Sequence, residues 1–368
     1  MPIPVTVSTE RPRNVRGLRL EATIEMPVKG LNTQVPTYKL EPDEAAKAQN
    51  ARFVAGELRK RPGYTKLSTS SAIKGSEPVT GIFYWTDSAG TNHIIVCSQT
   101  SIKELSSTGV WTDRTGTTTP TGSTTDMWHG AQIINPADNK KYLIITNGKD
   151  VPQKWDGTAS TFSNLITTPP TGVTTVTAKA ISCLYGRVMI GNLKEDSLER
   201  PLSVRWSSLA SMADLNGSGS GTADLFDSIG DSLSSTKIQT FSLKSGQLTV
   251  YLDNSFTKGQ VGSTADNAFY FPPTQQISDG IQSPSSLSPF ILGGGSYDFF
   301  HAVSDLMIYD GNSTYPVGSK ITRGPDGLFN LINPNTGKYS FSLVNQYNKE
   351  IWLFYPRLSD AFSQDVAV

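Results

Sequence analysis

Few side chains in this sequence have the types and spacing that catalysis or metal binding requires. The three histidines are His93, His129 and His301, and none stands at metal-ligand spacing from another histidine or from a cysteine. Glycine-rich runs occur at 217–221 and 293–295, but neither is followed by the Lys-Ser/Thr pair of a phosphate-binding loop. We therefore expect no catalytic residues, no metal site and no bound cofactor.

Carboxylates are numerous enough for a glycosidase, which needs two of them beside one glycosidic bond. The segments 87–91 and 310–314 are only faintly similar to the Asp-box turns of sialidase propellers, and their spacing differs from that motif. A sequence alone does not show whether two carboxylates converge. A carbohydrate-binding or glycan-processing protein is therefore the alternative to a protein without enzymatic activity, which the sequence favours.

The most compact group of charges is the basic cluster Arg59, Lys60 and Arg61. Such a cluster is compatible with a solvated turn, with contact to an acidic neighbouring protein, or with contact to phosphate. Aromatic residues do not alternate with these cations, as they do in proteins that bind single-stranded nucleic acid. We interpret the cluster as a candidate interaction site.

The only cysteines, Cys97 and Cys183, both lie in apolar segments typical of strands. Cysteines in such segments are usually buried free thiols, although two of them could also form one disulfide. We predict two buried free thiols.

The composition predicts an all-β protein. Hydrophobic residues make up 37% of the chain and charged residues 17%, with 32 glycines and 22 prolines; this favours short strands joined by turns. The formal net charge is zero, although residues 1–70 carry 12 basic against 7 acidic side chains. The longest apolar runs have the length of a strand, and no secretory signal is evident, so we expect synthesis in the cytoplasm without a membrane span.

One unit, a strand, a tight turn and a very apolar second strand, repeats along the chain. Its copies span residues 79–98, 129–146, 177–192, 237–252, 298–310 and 339–356. Marker residues in successive units are 49, 45, 60, 59 and 44 residues apart. This period predicts a β-propeller of about six blades, and a two-sheet β-sandwich is the alternative.

The chain divides into an arm and a propeller. Prolines punctuate residues 1–49, which we expect to form an extended N-terminal arm with a short helix over 41–49. Residues 50–368 form the predicted propeller. The Gly/Ser stretch 216–222 is expected to be an exposed loop.

The last repeat leaves too few residues to complete a blade, because only 13 follow Tyr355. An incomplete ring would expose strand edges, which proteins avoid. Strands near 50–67 are the nearest candidates to close it. We predict a hairpin there, with strands over 51–54 and 57–59.

This N-terminal region resembles a pattern that recurs in tailed-phage virion proteins. The similar residues are 30–36 (GLNTQVP), Ala45, Asn50, Gly56 and 59–64 (RKRPGY). The family comprises β-propeller tail nozzle or tail tubular proteins of short-tailed phages and related DNA-stabilising tail hubs. The strand ends 154–158, 308–319 and 349–356 are also similar to it.

The resemblance implies a structural protein of the virion tail or neck, made in the host cytoplasm. It implies a closed ring of identical subunits, often six, around the DNA exit channel. Its partners would be portal, adaptor or other tail proteins, with passive contact to genomic DNA. A nozzle, an adaptor and a stopper all fit this description.

Overall fold

A computed structural model describes most of the chain and shows that it is almost entirely β. The described residues are 5–8, 21–24, 29–48, 51–54, 57–60, 73–74, 77–226, 236–244, 246–262, 268–276, 280–324, 327–360 and 365–367. The helices are single turns: α1 (Ser319–Thr322), α2 (Leu328–Leu331) and 3-10 turns at Thr37–Lys39, Pro284–Ser286 and Gly337–Tyr339. None of the helices in these ranges is long and apolar enough to cross a membrane.

Two short hairpins precede the propeller. The first pairs β1 (Val5–Ser8) with β2 (Glu21–Ile24). The second pairs β3 (Ala51–Val54) with β4 (Glu57–Lys60), so that Val54 faces Glu57 across the turn. The predicted second hairpin is therefore confirmed, whereas the first was not expected in the arm.

Five antiparallel blades follow, in which each strand pairs with the next one along the chain. Blade 1 contains β5 (Gly81–Thr86), β6 (Asn92–Cys97), β7 (Ile102–Leu105) and β8 (Trp111–Asp113). Blade 2 contains β9 (His129–Ile134), β10 (Lys141–Thr146), β11 (Gln153–Trp155) and β12 (Ser163–Asn164). Blade 3 contains β13 (Val176–Leu184), β14 (Arg187–Glu195), β15 (Leu198–Trp206) and β16 (Gly221–Asp224).

The remaining blades keep this up-and-down order. Blade 4 contains β17 (Ile238–Lys244), β18 (Gln247–Leu252), β19 (Ser255–Val261) and β20 (Phe269–Tyr270), and β21 (Gln275–Gln276) also pairs with β19. Blade 5 contains β22 (Ser288–Leu292), β23 (Gly295–His301), β24 (Leu306–Tyr309) and β25 (Thr314–Pro316). A sixth sheet has three strands, β26 (Phe341–Asn345), β27 (Glu350–Tyr355) and β28 (Asp365–Ala367).

The first strands of blades 1 to 4 contact one another in succession, as do those of blade 5 and the sixth sheet. This is a five-bladed β-propeller arrangement with an additional three-stranded sheet, and it confirms the predicted all-β propeller of about six blades.

The core consists of five hydrophobic clusters, each between two successive sheets. Because side chains alternate along a strand, the second strand of a blade contributes to two clusters. In β10, Leu143 and Ile145 pack toward blade 1, whereas Ile144 packs toward blade 3. Burial on both faces explains why the second strands are continuous apolar runs.

Glycines on the facing strands let large side chains fill these clusters. A carbon placed on Gly191 would lie 2.5 Å from Cζ of Phe241, so the ring of Phe241 occupies that space. We call this contact between blades 3 and 4 the apolar seam. The ring of Phe83 covers Gly130 of blade 2 in the same way.

Blade 5 and the sixth sheet meet differently along their first strands. The hydroxyl of Ser342 donates to the Ser286 carbonyl at 2.6 Å and lies 2.7 Å from the Ser288 hydroxyl. The Ser283 hydroxyl bonds to the carbonyls of Lys338 (2.9 Å) and Ser340. We call this row of serines the polar seam.

Three local expectations were wrong. The unit at 298–310 contains β23 and β24, the second and third strands of blade 5, because the first hairpin turn lies at Gly293-Gly294. No helix forms over 41–48, where the backbone instead bonds to the segment at Gly30. The Gly/Ser stretch is partly built into blade 3, since Gly219 is buried and Gly221 begins β16.

The closing role of strands near 50–67 stays a prediction. Among the described strands, β3 and β4 pair only with each other, and β28 supplies the third strand of the sixth sheet. Residues 61–67 lie outside the described residues.

Candidate functional site

The N-terminal arm forms a defined attachment to the propeller. The Gly30 carbonyl accepts the N–H of Ala45 (2.8 Å), and the N–H of Asn32 donates to the Ala45 carbonyl (2.9 Å). Leu31 and Ala45 thereby form a parallel bridge. Gly30 adopts a φ of 91°, which a residue with a side chain rarely adopts.

Thr33 fixes this bridge to the chain that links blade 5 to the sixth sheet. Its N–H donates to the Lys320 carbonyl at 2.8 Å, and its hydroxyl donates to the Arg323 carbonyl at 2.8 Å. Thr33 is buried, so these bonds are shielded from water. The space beside the Thr33 carbonyl is filled by the backbone of Gly324, where a side chain would collide.

An ion pair completes the attachment. Glu44 accepts from Lys320 Nζ at 2.7 Å and from the Asn32 side-chain amide at 2.9 Å. These hydrogen bonds hold the pKa of the Glu44 carboxyl below its ordinary value. We call the contact of residues 30–45 with residues 319–324 the arm dock.

The predicted interaction cluster lies on the β3–β4 hairpin and does not belong to the arm dock. The Arg59 guanidinium bonds to the Glu57 carboxylate at 2.8 Å, and both side chains are largely exposed. Lys60 is also exposed, and Arg61 lies outside the described residues. Since Glu57 partly neutralises Arg59, the cluster is less basic than the sequence suggests.

His93 is the best candidate for acid–base chemistry, because a carboxylate lies at each of its ring nitrogens. Nδ1 lies 2.6 Å from Glu104 Oε1, and Nε2 lies 3.3 Å from Asp87 Oδ2. The ring is buried and stacks on Trp85. Arg114 donates from both Nε and Nη2 to Glu104 Oε2, and its guanidinium lies over the Trp155 ring.

The surroundings of His93 favour a structural role. Burial alone would raise the pKa of the Glu104 carboxyl, but hydrogen bonds from His93 and Arg114 outweigh it and hold that pKa below its ordinary value. Burial likewise opposes the lowered pKa of Asp87, which results from bonds to Thr91 and His93. Both carboxylates are therefore engaged in ionic hydrogen bonds between strands, and the cluster braces blade 1 against blade 2.

The other two histidines are held neutral. Burial lowers the pKa of His129 and of His301 to about 4. His301 is fully buried, and neither of its ring nitrogens has a hydrogen-bond partner among the described residues. Its backbone N–H donates to Ser286 Oγ at 2.8 Å, which places His301 beside the polar seam.

The sequence contains two aromatic-Asp-Gly segments, at 155–157 and 309–311, and they occupy equivalent turns between the third and fourth strands of blades 2 and 5. Asp156 Oδ1 accepts the N–H groups of Thr158 and Ala159, at 2.9 and 2.8 Å. Asp310 Oδ1 accepts those of Asn312 and Ser313, at 2.7 and 2.8 Å. These aspartates stabilise turns, which is a different use from catalysis.

A buried ion pair joins blades 4 and 5. Asp298 accepts from Ser242 (2.8 Å), Tyr251 (2.7 Å) and Lys244 (3.3 Å), and Lys244 also donates to the Tyr309 carbonyl. Burial raises the pKa of the Asp298 carboxyl, although Lys244 and the hydroxyl groups oppose that shift. Each polar group has a partner, so this cluster is suited to specifying how the blades pack.

Within the described part of the chain, no three His, Cys, Asp or Glu side chains converge to hold a metal ion. Both cysteines are free, as predicted; Cys97 is buried, whereas Cys183 is half-buried. Burial raises the pKa of both thiols, which disfavours the reactive thiolate.

No protein-family model matches this sequence, and no curated protein matches it. The computationally designed Ika8 protein has a similar structure, with a TM-score of 0.40 and 9% identity over 80% of this chain and 75% of that chain. The N-terminal domain of Nup159 is similar with a TM-score of 0.39 and 10% identity, over 76% of this chain and 73% of that one.

The extracellular domain of BT4673 from B. thetaiotaomicron has a TM-score of 0.38 and 13% identity, over 80% of this chain and 38% of that chain. At these values the three likenesses carry no argument about what the chain does.

Proposed function

We propose that this chain is a non-enzymatic structural component of a phage virion tail or neck. It would form a nozzle, adaptor or stopper ring around the DNA exit channel and dock portal, adaptor or other tail proteins. Six copies in a ring, and passive contact with the genomic DNA, are the arrangement that the resemblance favours.

The observation that carries the proposal is the arm dock. Among the residues that resemble the phage pattern, Gly30, Asn32 and Ala45 form the backbone bridge within the arm, and Thr33 bonds to the Lys320 and Arg323 carbonyls. The positive φ of Gly30 and the hydroxyl bond of Thr33 are roles that few other residue types can fill, and this supports the resemblance.

Electron microscopy of purified phage particles tests the proposal, with antibody or gold labelling to locate the chain. We expect the label at the tail or at the neck, in virion-associated copies only. Particles that lack the chain, and that assemble normally without its gene, would refute a structural role. Sugar release or glycan binding by the purified chain would instead support the carbohydrate alternative.

A further inference from the structure

Lys244 and Asp298 are an amine and a carboxyl group enclosed together between blades 4 and 5. Lys244 Nζ lies 3.3 Å from Asp298 Oδ2, and the two side chains are 8% and 0% exposed. Water therefore screens this pair very little. In other lysine–carboxylate pairs of the chain the lysine side chain is 46% to 56% exposed, as at Lys29, Lys74, Lys140 and Lys320.

The surroundings of the pair disfavour its ionic form. Tyr251, whose hydroxyl donates to Asp298, packs against the rings of Phe300 and Tyr309, and all three rings are fully buried. Burial lowers the pKa of the Lys244 amine and raises the pKa of the Asp298 carboxyl, although each charge opposes the shift of the other. Both shifts favour the neutral amine and the carboxylic acid, which are the forms that condense to an amide.

Two hydroxyl groups hold the carboxyl oxygens where negative charge would develop during such a reaction. Ser242 Oγ donates to Asp298 Oδ1 at 2.8 Å, and the Tyr251 hydroxyl donates to Oδ2 at 2.7 Å. Attack of a nitrogen on the carboxyl carbon places charge on one of these oxygens, and donors that are already in position stabilise it.

The backbone also orients the amine. Lys244 Nζ donates to the Tyr309 carbonyl at 2.7 Å, so a neutral amine can keep that bond while its lone pair faces the carboxyl carbon. Ser242 and Lys244 lie on β17, Tyr251 on β18 and Asp298 on β23, so all the groups are held on strands. Fixed positions of this kind give two groups a far higher effective concentration than they have in solution.

We propose that Lys244 and Asp298 form an isopeptide bond that joins blades 4 and 5 covalently. A proton passes from the ammonium group to the carboxylate, and Nζ attacks the carboxyl carbon. The new C–N bond forms as one C–O bond breaks, and the leaving hydroxyl takes a second proton from the nitrogen and departs as water. The reaction changes no oxidation state and needs no co-reactant. It goes beyond the proposed function, because the bond lies within one chain.

Intact mass spectrometry of the purified full-length chain tests the inference. We expect a mass lower than that of its own sequence by one water molecule. Lys244→Arg should have its full sequence mass, because a guanidinium stays charged and does not attack the carboxyl. Lys258→Arg is the matched control and should keep the deficit, since Lys258 also lies over the Tyr309 ring but bonds to the Gly311 carbonyl.

The rate of water loss tests the role of the hydroxyl donors. Tyr251→Phe keeps the ring but removes the hydroxyl that donates to Oδ2. We expect this variant to lose water about 100-fold more slowly than the wild type, as removal of one such donor does. Mass spectra taken at intervals after cell-free synthesis measure both rates. Equal rates would overturn the role of Tyr251 in forming the bond.

Peptide mapping of the wild type locates the bond even if a variant fails to fold. Protease digestion should give one branched peptide that contains both Lys244 and Asp298. A wild type that keeps its full sequence mass after prolonged incubation, a deficit that persists in Lys244→Arg, or linear peptides at both positions would each overturn the inference. None of these measurements uses virions, so their failure leaves the proposed function standing, and absence of the chain from particles would leave the bond standing.

Discussion

Blades 3 and 4 meet through the apolar seam, whereas the first strands of blade 5 and of the sixth sheet meet through the serine hydroxyls of the polar seam. The apolar seam depends on buried area and on close packing, as at Phe241 over Gly191. The polar seam depends on hydrogen bonds whose net contribution is small because water offers equivalent partners. The difference teaches that neighbouring first strands are joined in two chemically distinct ways, although blade 5 and the sixth sheet also share a hydrophobic cluster that includes Phe299, Leu353 and Tyr355.

The arm dock lies at the link between blade 5 and the sixth sheet. Residues 319–324, to which Thr33 and Glu44 bind, belong to the segment between β25 and β26. The arm therefore braces the connection between blade 5 and the sixth sheet.

The largest effect is expected from removing the ring that fills the apolar seam. Phe241→Ala should lower the free energy of unfolding by about 4 kcal/mol, because it removes buried apolar surface and leaves a cavity. Chemical denaturation monitored by tryptophan fluorescence measures this loss. Leu243→Ala in the same strand is the control, since Leu243 is largely exposed and should cost less than about 1 kcal/mol. Equal losses in the two variants would contradict the apolar seam.

Acid should lower the free energy of unfolding through His301, which lies beside the polar seam. Its pKa is lowered to about 4 in the folded chain, below the ordinary value of 6.5, so the unfolded chain binds more protons between those values. The contribution is complete above about pH 6.5 and is lost as the pH falls toward 4, by about 3 kcal/mol.

Unfolding free energies of wild type and His301→Leu, measured from pH 7 to pH 4.5, test this dependence. In the variant, the free energy of unfolding should depend less steeply on pH, because the contribution of His301 is removed. The contribution of His129 should remain. Identical slopes in the two proteins would show that His301 is not held neutral by its surroundings.

Loosening the arm should have a smaller and local effect. Thr33→Val keeps the shape of the side chain but removes the hydroxyl that donates to the Arg323 carbonyl, at a cost of about 1.5 kcal/mol in opening the arm dock. Hydrogen exchange of the amides of Asn32 and Ala45 should accelerate. Thr37→Val, at an exposed position, is the matched control. Unchanged exchange at both amides would mean that the arm is held by other contacts.

The smallest effect is expected within the polar seam. Ser342→Ala removes one hydroxyl that bonds to Ser286 and Ser288 and should cost about 1 kcal/mol. A double-mutant cycle with Ser288→Ala measures the coupling across the seam. If Ser342→Ala lowered the free energy of unfolding as much as Phe241→Ala does, the distinction between the two seams would be removed.

The repeated hairpins were predictable because turn residues and apolar second strands are local signals. The hairpin at β3 and β4 was predicted to within one residue for the same reason. In blade 5 the sequence pattern predicts the second and third strands as the repeated pair and misses the first. The first strand, β22, contains Pro289, and because proline is rare inside strands this segment resembles a loop in sequence.

The arm dock was not predictable from local patterns. Thr33 bonds to carbonyl groups 287 and 290 residues further along the chain, and no local preference encodes such partners. The helix expected over 41–49 had favourable alanines, but residues 44 and 45 bond to the segment at Gly30 and Asn32, and this tertiary contact outweighs propensity.

The alternation in β10 also limits how the length of this chain can change. Ile144 packs in one hydrophobic cluster, whereas its neighbours Leu143 and Ile145 pack in another. Deleting one residue there would place the following side chains on the opposite face of the sheet, and this would disrupt the packing of three blades at once. Additions at a turn such as Gly293-Gly294, where a side-chain carbon would meet no atom within 4 Å, would leave every core in register. Reporter peptides are therefore best inserted at that turn.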